Sequence, residues 1–105
     1  FVGIRQAAAL IKSLRDETGH PIYLNADHMK DLDKVREAAE AGYDSIIFDG
    51  AALSFDENIL KTKEAVSIAK SINPNIYKII LSFKPGYLFI NIVFVINFKK
   101  IILTL

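Results

Sequence analysis

A short apolar run that ends on an acid and an imidazole is the feature that most constrains this chain. Residues 22–26 follow Pro21 and are mostly apolar, and Asp27 and His28 come directly after them. A run of this kind is typical of a strand that is covered on both faces, as in a parallel sheet. Enzymes built on parallel strands have their active sites where the strands end. The segment therefore predicts a buried strand that presents two chemically active side chains at the edge of a sheet.

Amphipathic helices are predicted on either side of this strand. Before it, apolar residues spaced three and four apart predict a helix over residues 4–18, and Gly19 supplies a left-handed residue to end it. After it, Asp31 is a suitable N-cap for a helix over about residues 32–41, and Gly42 is placed to end that helix.

A second strand and a third helix follow the same plan. The apolar run Ser45–Asp49 also ends on an acid. Ser54 and Glu57 match a capping box, which predicts a helix that runs to about Ile72 and ends before Pro74. The side of this helix that faces the core is expected to present Ile59, Val66 and Ala69.

The order helix, strand, helix, strand, helix predicts an α/β fold with parallel strands. Residues 76–83 are apolar enough to serve as a third strand. The pattern alone leaves open whether the sheet belongs to a closed barrel or to an open doubly wound fold. A full (β/α)₈ barrel needs about 250 residues, whereas this chain has 105 and begins with Phe1 rather than methionine. We therefore expect it to be a fragment of a longer protein.

Residues 76–105 differ from the rest in composition and form an apolar, basic tail. All twelve acidic residues of the chain lie at or before Glu64, whereas residues 71–105 contain four lysines and no acid. The lysines are dispersed and no arginine accompanies them, so nucleic-acid binding is not expected. The longest apolar block, residues 87–98, is shorter than the roughly 20 residues of a membrane-spanning helix, so a membrane span is not expected. A membrane-associated remnant anchored by residues 87–105 ranks last among the alternatives. One hypothesis for the tail is translation in a shifted reading frame.

The chain contains no cysteine, which excludes disulfides and thiolate metal sites. That composition agrees with a reducing compartment, and we expect a cytoplasmic protein.

The polar residues that follow the two strands are the candidates for chemistry. An imidazole such as His28 can bind zinc, and a carboxylic acid such as Asp27 can transfer protons. Because successive strand residues point to opposite sides, the two share a site only if the strand ends between them. Asp49 could face Asp27 from the neighbouring strand, although the residues alone favour an ordinary loop acid. His20 lies before the first strand, at the end where structural residues are expected.

Three motifs in order resemble the class II fructose-bisphosphate aldolases. They are Leu24–His28, which matches Leu-x-x-Asp-His, Ala38–Gly50, which contains Ala-Gly-(aromatic)-x-Ser and ends in Asp-Gly, and Leu53–Glu64, which contains Glu-Asn-Ile and Thr-Lys. The resemblance covers about residues 1–75 and leaves residues 76–105 outside the family. It implies that the chain is a fragment of a (β/α)₈ TIM barrel.

The resemblance also implies roles for three residues. His28 matches the first of three histidines that hold the catalytic Zn²⁺, Asp27 matches the acid that transfers a proton during carbon–carbon bond cleavage, and Asp49 matches an acid at a second metal position. The implied reaction is the reversible cleavage of fructose 1,6-bisphosphate to dihydroxyacetone phosphate and glyceraldehyde 3-phosphate. The implied partners are a sugar bisphosphate and, for the parent protein, further copies of itself in a homo-oligomer.

Departures from the family pattern limit these expectations. Met29 stands where the family has glycine or cysteine, and Ala51 stands where serine is frequent, which leaves the preferred ketose bisphosphate open. His20 and His28 are the only histidines of the chain, whereas a catalytic zinc ion needs three protein ligands. We therefore expect the chain alone to be inactive or nearly so. An alternative from another class is a non-catalytic, oligomerising remnant.

Overall fold

The computed structural model describes residues 3–76, 78–82 and 92–95. Helices and strands alternate along most of the chain, as the sequence predicts. The elements are α1 (Ile4–Thr18), β1 (Asn25–Met29), α2 (Leu32–Ala41), β2 (Ser45–Asp49), α3 (Phe55–Ile72), β3 (Lys78–Ser82) and β4 (Ile92–Val95). Among the described residues, no helix is both long enough and apolar enough to cross a membrane.

The helix ends lie where local capping chemistry places them. Gly19 and Gly42 end α1 and α2 in the left-handed region, with φ angles of 70° and 89°, which glycine adopts without steric cost. Asp31 accepts a 2.8 Å hydrogen bond from the Lys34 N–H at the start of α2. Ser54 begins α3 with a complete capping box. Each cap satisfies backbone groups that would otherwise lack a partner within the helix.

The four strands form one sheet in the order β1-β2-β3-β4. The first three are parallel, so the predicted α/β class is confirmed, and β3 lies within the segment predicted as a third strand. β4 pairs with β3 in the antiparallel direction, which departs from a (β/α)₈ barrel, where every strand is parallel. The described residues therefore form an open sheet, and the rest of the apolar tail lies outside them.

The core lies between this sheet and the two helices that follow β1 and β2. Ile46 and Phe48 on β2 are essentially inaccessible to solvent. Val35 on α2 and Ala65 on α3 pack against them in the same cluster. Each large apolar side chain buried in this way contributes about 1.5–3 kcal/mol to folding. β2, which lies between β1 and β3, is thus better covered than β1.

β1 differs from its prediction in both position and cover. The prediction placed the strand at residues 22–26 with both faces buried, whereas β1 begins at Asn25 and only Ala26 is buried. The partner strand β2 sets where β1 begins. The Leu24 carbonyl accepts hydrogen bonds from the N–H groups of Asp44 and Ser45, which lie just before and at the start of β2. Ladder pairing can begin only at Asn25, opposite Ser45.

The amino ends of β1 and β2 are tied to α1 by polar contacts, and we call this region the amino edge. Arg15 of α1 donates to the carbonyl of Ile22 and, through its terminal nitrogen, to Asp44 Oδ2 at 2.6 Å. The same oxygen of Asp44 accepts the Leu24 N–H at 2.8 Å. These contacts hold α1 in place although none of its own residues is fully buried.

Candidate active site

Asp27, His28 and Asp49 meet at the carboxyl ends of β1 and β2. With Gly50, which follows β2, they form what we call the carboxyl edge. β1 and β2 are parallel, so their carboxyl ends lie on the same side of the sheet. The side chains of Asp27 and His28 are each 62 % exposed, whereas that of Asp49 is 16 % exposed. The structure therefore brings together all three residues that the sequence singles out, and their catalytic and metal-binding roles remain predictions.

A β-bulge in β1 brings the side chains of Asp27 and His28 together. Ala26 pairs with Ile46 and Met29 pairs with Phe48, so β1 advances three residues where β2 advances two. Such an extra residue locally breaks the alternation of side chains between the two faces. β1 does not end between Asp27 and His28, as a shared site was expected to require, but continues through Met29. The bulge brings the two side chains together instead.

His28 has an unusual backbone conformation at this bulge. Its φ angle of 53° lies in the left-handed region, which residues with a Cβ seldom adopt. Strain of this kind costs about 1–3 kcal/mol and persists only where the surrounding structure enforces it. At His28 the conformation places the imidazole between two carboxylates, with Nδ1 at 3.1 Å from Asp49 Oδ2 and Nε2 at 3.5 Å from Asp27 Oδ1.

Asp49 is anchored on both of its oxygens. Oδ2 contacts His28, and Oδ1 accepts the N–H of Ala51 at 3.1 Å. Burial raises the pKa of the Asp49 carboxyl, but the hydrogen bonds from Ala51 and His28 and the positive charges of His28 and Lys30 lower it by more. The pKa of Asp49 therefore lies below its ordinary value, and the side chain is a carboxylate at neutral pH.

Two buried polar residues that the sequence analysis missed support the loop after β2. Asn58 and Thr62 on α3 are only 1 % and 2 % exposed, and the Thr62 hydroxyl lies 3.2 Å from Asn58 Oδ1. A Cβ atom added at Gly50 would come within 2.2 Å of that same amide oxygen. Glycine at position 50 thus lets the loop that carries the Ala51 donor pack directly on α3.

The face of α3 that packs on the core is centred one residue away from the prediction. Ile59 and Val66 are only partly buried, and the fully buried stripe is Asn58, Thr62, Ala65 and Ala69. Their spacing of four, three and four residues is as helical as the predicted one. Because Asn58 and Thr62 are polar, the hydrophobic pattern did not identify this buried stripe. Both residues lie in the family motif over residues 53–64, which was the one signal for them in the sequence.

The lysines of α3 and the remaining histidine take no part in this arrangement. Lys61 lies on the exposed face and contacts Glu64 at 3.4 Å, and Lys63 is also exposed. His20 is exposed and precedes β1, away from the carboxyl edge. All three therefore lie outside the candidate site.

The residues present fit only part of a zinc site. His28 has one nitrogen, Nε2, that is turned toward exposed Asp27 and away from Asp49. A catalytic zinc ion needs three protein ligands and an open position. Over residues 3–76, 78–82 and 92–95, no group of three or more His, Cys, Asp or Glu is placed to hold a metal ion. His28 is therefore suitable as one ligand, and the described residues do not complete the set.

Comparison with known proteins gives this edge a family context. The family model described as fructose-bisphosphate aldolase class-II matches residues 1–76. A sulfofructosephosphate aldolase from Alkalicoccus urumqiensis is 37 % identical over 71 residues, which are 68 % of this chain and 25 % of that protein. A 6-phospho-5-dehydro-2-deoxy-D-gluconate aldolase from Shouchella clausii is 34 % identical over 76 residues, 70 % of this chain and 26 % of the relative.

A fructose-bisphosphate aldolase from Mycoplasma pneumoniae is 39 % identical over 56 residues, 53 % of this chain and 19 % of that protein. The chain thus spans about a quarter of the length of such relatives, and the matched part contains the whole carboxyl edge. The match over residues 1–76 agrees with the order of the strands and helices and with the three side chains at the carboxyl edge. This chain therefore belongs to the class II fructose-bisphosphate aldolase family.

Proposed function

We propose that this segment serves the aldol cleavage of a phosphorylated ketose, with fructose 1,6-bisphosphate as the first candidate substrate. The observation that carries the proposal is the meeting of Asp27, His28 and Asp49 within 3.5 Å contacts at the carboxyl edge of a segment that belongs to an aldolase family. The products would be dihydroxyacetone phosphate and glyceraldehyde 3-phosphate.

Asp27 is the proposed acid and base. Its side chain is 62 % exposed and lies at the rim, so a substrate hydroxyl can approach it directly. Cleavage removes the proton of the hydroxyl group on the carbon that becomes the aldehyde, and the reverse reaction returns that proton. A positioned carboxyl group contributes about 10²–10⁴-fold to such a step.

His28 is the proposed ligand of a divalent metal, with zinc as the first candidate. When bound, such an ion polarises the ketone and stabilises negative charge on its oxygen. Because the described residues do not complete a site, we propose that the chain on its own turns over little or no substrate.

The substrate assignment is supported by one group of relatives and broadened by others. The fructose-bisphosphate aldolases of Mycoplasma pneumoniae and Mycoplasma genitalium are 39 % and 37 % identical to this chain over 56 and 67 residues. The sulfofructosephosphate and deoxygluconate-phosphate aldolases match at 37 % and 34 %. All of these names describe phosphorylated substrates, and a tagatose bisphosphate is a further candidate.

A chimera provides the direct test. Residues 3–76 would replace the matching segment of the Mycoplasma pneumoniae aldolase, and cleavage of each phosphorylated ketose would be measured with added Zn²⁺. We expect measurable turnover, with Asp27→Ala lowering kcat/KM by about 10²–10⁴-fold. Asp16→Asn is a matched control, because Asp16 is an exposed carboxylate on α1, outside the carboxyl edge, where it pairs with Lys12.

Two results would overturn the proposal. One is a folded chimera without activity toward any phosphorylated ketose. The other is full activity of the Asp27→Ala variant. Assay of the chain alone tests the second part, since turnover near that of the intact relative would reject the predicted inactivity.

A second candidate, an oligomerising remnant, is favoured by the exposed apolar side chains. Leu53, Phe55 and Leu60 around the start of α3 are 39 %, 52 % and 63 % exposed, and Leu53 and Leu60 line the same surface depression. Neighbouring exposed apolar groups can support self-association. Light scattering after size exclusion measures this directly, and a monomer at high protein concentration would rule out the remnant.

A further inference from the structure

We propose that Asp49 is a positioning residue that holds His28 as the Nδ1–H tautomer and so leaves Nε2 as the nitrogen with the free lone pair at the rim. A neutral imidazole has one N–H and one acceptor nitrogen, and a hydrogen bond at one nitrogen decides the role of the other. The tautomer of His28 therefore depends on which of its two carboxylate neighbours accepts the hydrogen bond from the ring N–H.

Distance favours Asp49 over Asp27. The Nδ1 atom lies 3.1 Å from Asp49 Oδ2, within hydrogen-bond range, whereas Nε2 lies 3.5 Å from Asp27 Oδ1, beyond the usual range for N–H···O. A proton on Nδ1 therefore makes a better hydrogen bond than a proton on Nε2.

Burial favours the same choice. The Asp49 side chain is 16 % exposed and that of Asp27 is 62 % exposed. An acceptor with less access to water forms a stronger hydrogen bond, because water competes less and the local dielectric is lower. The contact with Asp27 is largely screened by solvent.

Asp49 is also the better-anchored acceptor. Its second oxygen receives the Ala51 N–H at 3.1 Å, in a loop that packs through Gly50 against Asn58. The Asp49 carboxylate is therefore anchored by a contact that does not involve His28. The left-handed backbone of His28 then turns the ring so that Nδ1 faces Asp49.

The arrangement has a consequence for the carboxyl edge. With its proton on Nδ1, His28 presents an unprotonated Nε2 to an exposed carboxylate oxygen 3.5 Å away. Two atoms with lone pairs at that separation favour a cation between them. Use of Nε2 as a metal ligand rests on the proposed aldolase function, whereas the tautomer itself does not.

The test is ¹⁵N NMR of the chain with labelled histidines, at about pH 9, where an ordinary imidazole is neutral. The chain has only two histidines, so a His20→Gln variant assigns both spectra. We expect His28 to show the shifts of a protonated Nδ1 and an unprotonated Nε2. In Asp49→Ala the ratio of the two tautomers should move by about tenfold toward Nε2–H, the effect of losing one charge-assisted hydrogen bond.

Asp27→Ala is the matched control, and it should leave the tautomer ratio largely unchanged. If Asp49→Ala does not fold, Asp49→Asn retains an acceptor for Ala51 and should move the ratio part of the way. A His28 that is mainly Nε2–H in the unmodified chain would overturn the proposal, as would a ratio that follows Asp27 rather than Asp49. An inactive chimera with His28 still as the Nδ1–H tautomer would reject the aldolase function and leave the positioning role intact.

Discussion

At the amino edge, Asp44 is shared between an arginine and a backbone N–H, both within 2.8 Å, and no residue there other than glycine has a positive φ angle. At the carboxyl edge, His28 is 62 % exposed and its backbone lies in the left-handed region. The first edge uses its polar groups to join α1 to the strands. The second keeps Asp27 and His28 accessible to solvent at a cost in backbone strain. In proteins built on parallel strands, this is how stability and chemistry are divided between the two ends.

Gly50→Ala should have the largest effect on stability, because it tests the support beneath the carboxyl edge. A new Cβ would meet the Asn58 amide oxygen at 2.2 Å, and Asn58 is too buried to move away freely. We expect a loss of about 1–3 kcal/mol in the free energy of unfolding, measured with urea. Gly3→Ala is the control, because its Cβ meets only the exposed side chain of Gln6. Equal effects of the two substitutions would contradict close packing at Gly50.

Arg15→Ala tests the amino edge and should cost about 1–2 kcal/mol. The substitution leaves the Ile22 carbonyl without its donor and Asp44 without its cation, and both side chains of the pair are partly shielded from water. Lys12→Ala, on the same helix, removes an ion pair whose two side chains are 75 % and 67 % exposed and should cost less than about 0.5 kcal/mol. Both variants would be compared by urea denaturation. Similar losses in the free energy of unfolding for Arg15→Ala and Lys12→Ala would contradict a structural role for the Arg15 contacts.

A pair of substitutions at His28 isolates the backbone strain of the carboxyl edge. His28→Gly and His28→Ala both remove the imidazole, but only glycine adopts a φ angle of 53° without a penalty. The glycine variant should therefore be the more stable by about 1 kcal/mol. At Asp27, whose φ angle is not positive, the order should reverse, and alanine should be at least as stable as glycine. An alanine variant of His28 that is more stable than the glycine variant would argue against strain.

The smallest effect is expected at alkaline pH, from Tyr43 at the amino edge. Burial, followed by the negative charge of Glu37, raises the pKa of Tyr43 above its usual 10.0. The neutral phenol also donates to the Ile4 carbonyl at 2.9 Å. Because the raised pKa belongs to the folded state, this stability is complete below pH 10 and is lost as the pH rises through the folded pKa.

The measurement compares the unmodified chain with Tyr43→Phe. The phenylalanine variant should be less stable at neutral pH by about 0.5–1.5 kcal/mol, the value of one hydrogen bond, and the difference should shrink above pH 10. Arg5 lies 3.8 Å from Glu37 and moderates its charge, so the effect is expected to be modest. Parallel stability curves across this pH range would contradict the raised pKa.

The features that the sequence predicted well depend on nearby residues. Gly19, Asp31 and Ser54 determine helix ends through contacts within a few residues, and the predicted and observed bounds of α1, α2 and α3 agree. β2 was also placed correctly, because its apolar run is bounded closely on both sides.

The features that it did not predict depend on partners far along the chain. The start of β1 follows the register with Ser45, and the bulge at His28 depends on pairing with β2. The buried pair Asn58 and Thr62 is recognisable only once Gly50 is seen to lie against it. The three candidate site residues were identified by their position after strands and by family resemblance, while the contact between His28 and Asp49 needed the structure.

The antiparallel strand β4 limits how this sheet can be extended. It occupies the outer side of β3, where a (β/α)₈ barrel would add its next parallel strand. A separate polypeptide that supplied the missing part of a barrel would have to displace β4 before it could pair there. Among the described residues no strand lies on the side of β1 that faces away from β2, so complementation by a second fragment should begin at that border.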